Sequence, residues 1–223
     1  MAADQTAEER ILLAAVRCVA EHGLSVSLRT IAAAAGVSGG LIIHHYGSRQ
    51  ALLEACDAHA LRVTRESKAE VIQGGAPEML AQLAALEQYT PVIGYVLRRL
   101  QIGGRLAQEF LEDYVRMSVD YLQAGVEQGT ITPSRDPEAR ARVLTEMGLG
   151  ALVLQLPGQD DPLDLDGLPD WLRRYTERII PPVLEIYSVP LFPDTTFLDA
   201  YHAHQGTARP DTADDAHDDP GST

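Results

Sequence analysis

Between Ser27 and Arg49 the sequence reads SLRTIAAAAGVSGGLIIHHYGSR, two short helical stretches parted by one glycine and closed by another. Few folds accommodate that spacing. Leu28, Ile31, Ala32 and Ala35 recur every three or four residues, which lines them along one face of a helix. The Ser27 hydroxyl is placed to accept from free backbone N–H groups of the first turn. Gly36 supplies the left-handed backbone that a sharp exit requires. Val37 then plugs the gap between helices, Ser38 caps a second helix, and Leu41, Ile42 and Tyr46 turn toward the core. Gly39, Gly40, Ile43, His44 and His45 are left on the outer face. This is the layout of a helix-turn-helix, in which the N-terminal part of the second helix enters the major groove of DNA. Bulky side chains at Gly39 and Gly40 would hold the backbone away from the duplex. The two glycines therefore favour close approach, while weakening the helix by about 1 kcal/mol each relative to alanine.

The flanks complete a small module. Thr6 and Glu9 have the spacing of a capping box, opening a helix with Ile11, Leu12, Ala15, Val16 and Val19 on its apolar side and closing at Gly23. Ser48 caps a fourth, longer helix running through Leu52, Leu53, Cys56, Ala60 and Val63 to Gln73, where Gly74 and Gly75 break it. Helical periodicity recurs through the rest and strand-like alternation is absent, so the expected fold is all-α. Further helices are expected over 77–89, 91–102, 104–128 and 137–156, the last opened by Asp136 and Pro137. After a loop at 157–167, a final helix over 169–187 should be kinked or interrupted by Pro181 and Pro182. The division that follows is a reading head over 1–48, a helical body over 49–198 that includes a connecting helix at 49–73, and a disordered acidic tail over 199–223.

The formal net charge of −14 argues at first sight against DNA binding, but its distribution answers the objection. Residues 1–65 hold six arginines and six acids; the whole deficit lies beyond them. An acidic body held more than about 8–10 Å from the duplex is largely screened. Weak non-specific binding and a steep loss of affinity with salt follow. No apolar run approaches the roughly 20 residues that span a bilayer, and no signal-peptide pattern opens the chain, so a cytoplasmic location without membrane contact is expected. Cys18 and Cys56 fall on apolar helix faces and read as buried, reduced thiols.

From about Arg10 to Leu61, the capped first helix, IAAAAGVSGG, HHY-GSR and the apolar fourth helix occur in an order and spacing that resembles the N-terminal domain of the TetR family of bacterial transcriptional regulators. The remainder resembles that family in being helical and of suitable length. The common pattern has Tyr at Ile43, Lys at Arg49 and often a polar residue at Gly39. The resemblance implies a homodimer on a pseudo-palindromic double-stranded DNA operator, repressing until a small-molecule effector binds the body; activation instead of repression stays open. It places Ser27, Thr30, Ser38, His44, His45 and Arg49 near the duplex, chiefly at phosphates. Arg29 and the Gly39–Leu41 edge would face bases, with Leu41 able to touch a thymine methyl and Arg29 able to donate to guanine. Ile43 replaces a phenol that usually reaches phosphate, so that contact is lost.

Two features of the body bear on assembly and ligand. The run Met147-Gly-Leu-Gly-Ala-Leu-Val-Leu is apolar nearly all round, and Leu168, Leu172, Tyr175 and Ile179 form a second stripe. A central core helix or a dimer interface explains them equally, and the resemblance favours a four-helix interface. Phe110, Tyr114, Met117 and Tyr121 fall at i, i+4, i+7 and i+11, a stripe that suits an apolar effector pocket joined by Gln101, Arg105 or Trp171. Ordinary core packing accounts for the same stripe. No metal, cofactor or catalytic set is expected: the His44–His45 and His202–His204 pairs lack partners at zinc spacing, and no phosphate loop or nucleophile elbow occurs. The rival to a regulator is a helical ligand-binding or adaptor protein without specific DNA binding.

Overall fold

A computed structural model describes residues 6–155 and 163–207. All regular structure among them is helical: α1 (Ala7–His22), α2 (Leu28–Ala35), α3 (Gly39–Tyr46), α4 (Arg49–Ala84), α5 (Thr90–Gln101), α6 (Gly104–Glu127), α7 (Pro137–Val153), α8 (Leu168–Ser188) and α9 (Thr196–Thr207), with a 3-10 turn over Leu86–Tyr89 before α5. The chain packs as two units that divide between Thr176 and Glu177. No described helix is long and apolar enough to cross a membrane.

One apolar core runs through the first unit. Ile11, Ala15, Val16 and Val19 of α1 meet Ile31 of α2, Ile42 of α3 and Leu52, Cys56 and Ala60 of α4, and the same cluster continues to Val92, Tyr95 and Val96 of α5. Both cysteines are buried and free, as their faces predicted. Burial pushes the Cys56 thiol up to about 12.

Several boundaries differ from the sequence reading. The long helix does break at the glycine pair, where Gly75 takes φ 65°, ψ −149°, but helical turns resume through Pro77 and stop at Ala84, short of the expected Tyr89. α8 runs through Pro181 and Pro182 without interruption. Both prolines are exposed, on a stretch of the helix where their rings meet no packed neighbour. The segment expected to be disordered from residue 199 is helical as far as Thr207. Local capping explains it: the Thr196 N–H donates to Asp194 Oδ1 (2.9 Å) and the Thr195 hydroxyl to Asp199 Oδ2 (2.7 Å). The rest of the expected tail and most of the 157–167 loop lie outside the described residues.

Candidate nucleic-acid interface

Serine caps set the geometry of the head. The Ser27 hydroxyl accepts from Thr30 N–H (3.1 Å), Ser38 from Leu41 N–H (3.2 Å) and Ser48 from Ala51 N–H (3.0 Å), so three successive helices start on the same device. Gly36 sits at φ 66°, ψ 36° and closes α2 with paired bonds, Val37 N–H to Ala32 O (3.0 Å) and Gly36 N–H to Ala33 O (3.2 Å). That is the six-to-one and five-to-two pattern of a Schellman turn, which fixes the angle at which α3 leaves α2. Ile42 is wholly buried beneath α3. Leu41 and Tyr46 are half-buried, and the Tyr46 hydroxyl donates to Glu8 O of α1 (2.9 Å), tying the far end of α3 down.

Above that support lies an open surface. Ser27, Arg29, Thr30, Ser38, Gly39, Gly40, Ile43, His44 and His45 are all exposed, with Ile43 at 43%. Leu41, at the middle of this surface, is half-buried. The Ser27 and Thr30 hydroxyls are 2.9 Å apart and hydrogen-bonded to each other. A Cβ added at Gly39 would meet no atom within 4 Å, and at Gly40 only Ser38 Oγ at 3.8 Å. Nothing inside the fold therefore requires glycine at either position. Arg49 stands apart: it is half-buried, and its Nη2 donates to Leu24 O and to Val26 O (3.1 Å), in the loop that leads into α2.

The stripe on α6 is not gathered into one pocket. Phe110 and Met117 are buried in the interior, while Tyr114 and Tyr121 are half-buried. The Thr64 hydroxyl of α4 faces the Tyr114 phenol, whose pKa burial pushes up. Arg105 is exposed and paired with Glu109 of its own helix. Trp171 stacks on Tyr175 (5.3 Å between centroids), and Gln101 Oε1 accepts from Arg98 Nη1 (3.0 Å).

A polar cluster joining head to body is one that the sequence pattern does not single out. Arg99 of α5 forms a bidentate pair with Asp57 of α4 (Nε–Oδ1 2.9 Å, Nη2–Oδ2 2.8 Å), and the Tyr95 hydroxyl donates to the same carboxylate (2.6 Å). Arg98, next along α5 and 3% exposed, donates from Nε to Ala20 O in the last turn of α1 (3.4 Å). The available signal was two adjacent arginines inside an otherwise apolar helix. Nearby, Leu163 N–H donates to Glu21 O (3.0 Å) and Arg17 bridges Glu21 and Asp166.

Residues 11–56 match the model for bacterial regulatory proteins of the tetR family, and residues 87–193 that for a tetracyclin repressor-like C-terminal domain. Over 209 residues the chain is 41% identical to the HTH-type transcriptional regulatory protein RaaS of Mycobacterium tuberculosis, covering 92% of this chain and 97% of that one. Among solved structures it is similar to a TetR-family transcriptional regulator of Rhodococcus sp. (TM-score 0.50, 20% identical, 78% of this chain and 97% of the other). A Clostridium perfringens protein named for regulating fatty acid metabolism is also similar (TM-score 0.51, 16% identical, 82% and 99%). At these identities the structural likeness is one of fold.

Proposed function

The chain belongs to the tetR family of bacterial regulatory proteins and is a DNA-binding transcriptional regulator, and we propose that it works as a homodimeric repressor that leaves a pseudo-palindromic operator when a small molecule binds its helical body. The observation that carries the reading is the open first turn of α3, where Gly39 and Gly40 present backbone without side chains and the space a Cβ would fill is open. Backbone there approaches base edges, Leu41 meets a thymine methyl, and Arg29 donates to guanine O6 and N7. Ser27, Thr30, Ser38, His44 and His45 hold phosphates on either side and fix the register. Ile43 makes apolar contact only.

Arg49 takes a different part. With Nη2 committed to the Leu24 and Val26 carbonyls, it steadies the loop that sets Ser27 and Arg29 against the duplex, and it adds positive charge at the head without needing to touch a phosphate. The effector lodges beside α6, where Tyr114 and Tyr121 stay half-buried next to the buried Phe110 and Met117.

Selection of bound sequences from a random duplex library at moderate salt tests the regulator. The expected product is a pseudo-palindrome; recovery of sequence-blind binding alone would refute the reading. On the selected operator, Arg29→Ala should cost about 1–3 kcal/mol and relax preference at one base pair of each half-site. Arg49→Ala should weaken binding while leaving the slope of log K against log salt unchanged, whereas loss of a phosphate contact would lower that slope by about 1.

A further inference from the structure

Arg98 and Arg99 are neighbours in sequence, yet they reach to two different helices, α1 of the reading head and α4, the connecting helix. Arg98 Nε donates to the Ala20 carbonyl (3.4 Å) in the last turn of α1, where the helix dipole presents its negative end. Arg99 grips Asp57 through both oxygens, two turns into α4, and Tyr95 one turn earlier on α5 adds a third bond to the same carboxylate. Little of this is exposed: the Arg99 side chain is 7% exposed, the Asp57 side chain 18%, and Tyr95 is fully buried. α1 and α4 are the helices on which α2 and α3 are seated, through Val16, Val19, Leu52, Cys56 and their neighbours in the one core. One turn of α5 thus holds both supports of the DNA-reading surface.

The same turn also touches the body. The Arg99 guanidinium lies 6.0 Å from the centroid of the Phe110 ring, the first residue of the α6 stripe. A cleft of about 290 Å³ between α4 and α6 opens onto this point, with Asp57, Arg99, Phe110, Leu61 and Leu106 in its walls. Anything that moves Phe110, or fills the cleft, meets the arginine that anchors α4. A two-oxygen, two-nitrogen pair has one good geometry, which leaves little slack between α4 and α5 where Phe110 meets Arg99.

We propose that Arg98 and Arg99 form a bracket on α5 that sets the angle of the reading head against the body, with Asp57 and Tyr95 as its seat and Phe110 as the contact through which the body acts on it. These are positioning residues: none of them faces the duplex. The bracket rests on the DNA-binding reading only for its consequence at the operator; its mechanical part is independent of it.

Three full-length variants test it. Arg99→Lys keeps the charge and loses the fork, Tyr95→Phe removes a single hydroxyl, and Phe110→Leu removes the ring. Each is compared with the unaltered protein in two measurements made well below its melting temperature. The first is the distance between spin labels at Ala33→Cys on α2 and Asp120→Cys on α6, recorded within one chain by dilution with unlabelled protein. The second is affinity for the selected operator. The bracket predicts a shifted or broadened distance distribution and an operator affinity about 10-fold weaker in Arg99→Lys, at the lower end of ordinary coupling strengths. It predicts a smaller change of the same kind in Tyr95→Phe, and less than additive losses when Phe110→Leu is combined with Arg99→Lys. An unchanged distance distribution or additive losses overturns it, and a changed distribution with unchanged operator affinity overturns its consequence at the operator. Should Arg99→Lys fail to fold, Tyr95→Phe and Phe110→Leu carry the same test. If the unaltered protein selects no operator, the regulator reading falls, while the distance measurement still decides whether the bracket holds the head.

Discussion

Gly40 is where stability and recognition pull in opposite directions. Its backbone is helical, a Cβ there would meet only Ser38 Oγ at 3.8 Å, and glycine inside a helix costs about 1 kcal/mol against alanine. Gly40→Ala should therefore raise the melting temperature by about 2–4 °C and weaken operator binding, because the added methyl projects toward the groove. Thermal denaturation and fluorescence anisotropy on the same sample check the two signs; a variant that gained stability and lost no affinity would show that the glycine serves nothing at the DNA. His59 on α4 offers a second test. Burial, with Arg62 beside it, lowers its pKa below the ordinary 6.5, against smaller upward pulls from Glu66 and Glu9. The folded state then binds fewer protons than the unfolded chain, so stability is full above pH 6.5 and falls as the pH drops from there toward the lowered value. His59→Gln should flatten that part of a stability–pH curve measured by denaturant titration.

The helices show which signals the sequence carries and which it does not. Caps and periodicity placed α1, α2, α3 and the start of α4, since a serine hydroxyl and a row of apolar residues act over one or two turns and owe little to distant chain. The outer face of the head followed from the same register. The Asp57–Arg99 pair did not, because its partners are 42 residues apart and only packing of α5 on α4 brings them together. α9 was hidden for another reason: its composition is that of a tail, and two short polar bonds at its start outweigh it. Proline misled in the other direction, since Pro181 and Pro182 stand on an exposed stretch of α8 and the helix continues through them. Packing between α1 and α5 supplies its own test. A Cβ at Gly94 would lie 3.0 Å from Ala20 Cβ and 3.1 Å from Leu165 Cδ2. Both contacts are to side chains fixed in the core, so Gly94→Ala should destabilise the protein by about 1–3 kcal/mol through overpacking, read as a lower urea midpoint at unchanged slope.

Association of two chains is the property that a pseudo-palindromic operator demands, and the exposed apolar surface indicates where to look for it. On α7, Val143 is 52% and Met147 54% exposed, while a Cβ at Gly148 or Gly150 would meet nothing within 4 Å. Val143, Met147 and Gly150 share one face of α7, which is thus open to close approach by another helix. On α8, Leu184, Ile186 and Tyr187 are likewise exposed. A charge placed at Met147 meets water in a single chain, so Met147→Glu should leave the fold of one chain intact. In a dimer paired through this face of α7 the same carboxylate would be buried, and burying unpaired charge costs more than the apolar contact it replaces. Sedimentation velocity should therefore show the unaltered protein as a dimer and Met147→Glu as a folded monomer with unchanged helical circular dichroism. Operator affinity should fall by more than about 100-fold, because two linked half-site contacts become two independent ones. A Met147→Glu variant that remained dimeric would move the interface off α7.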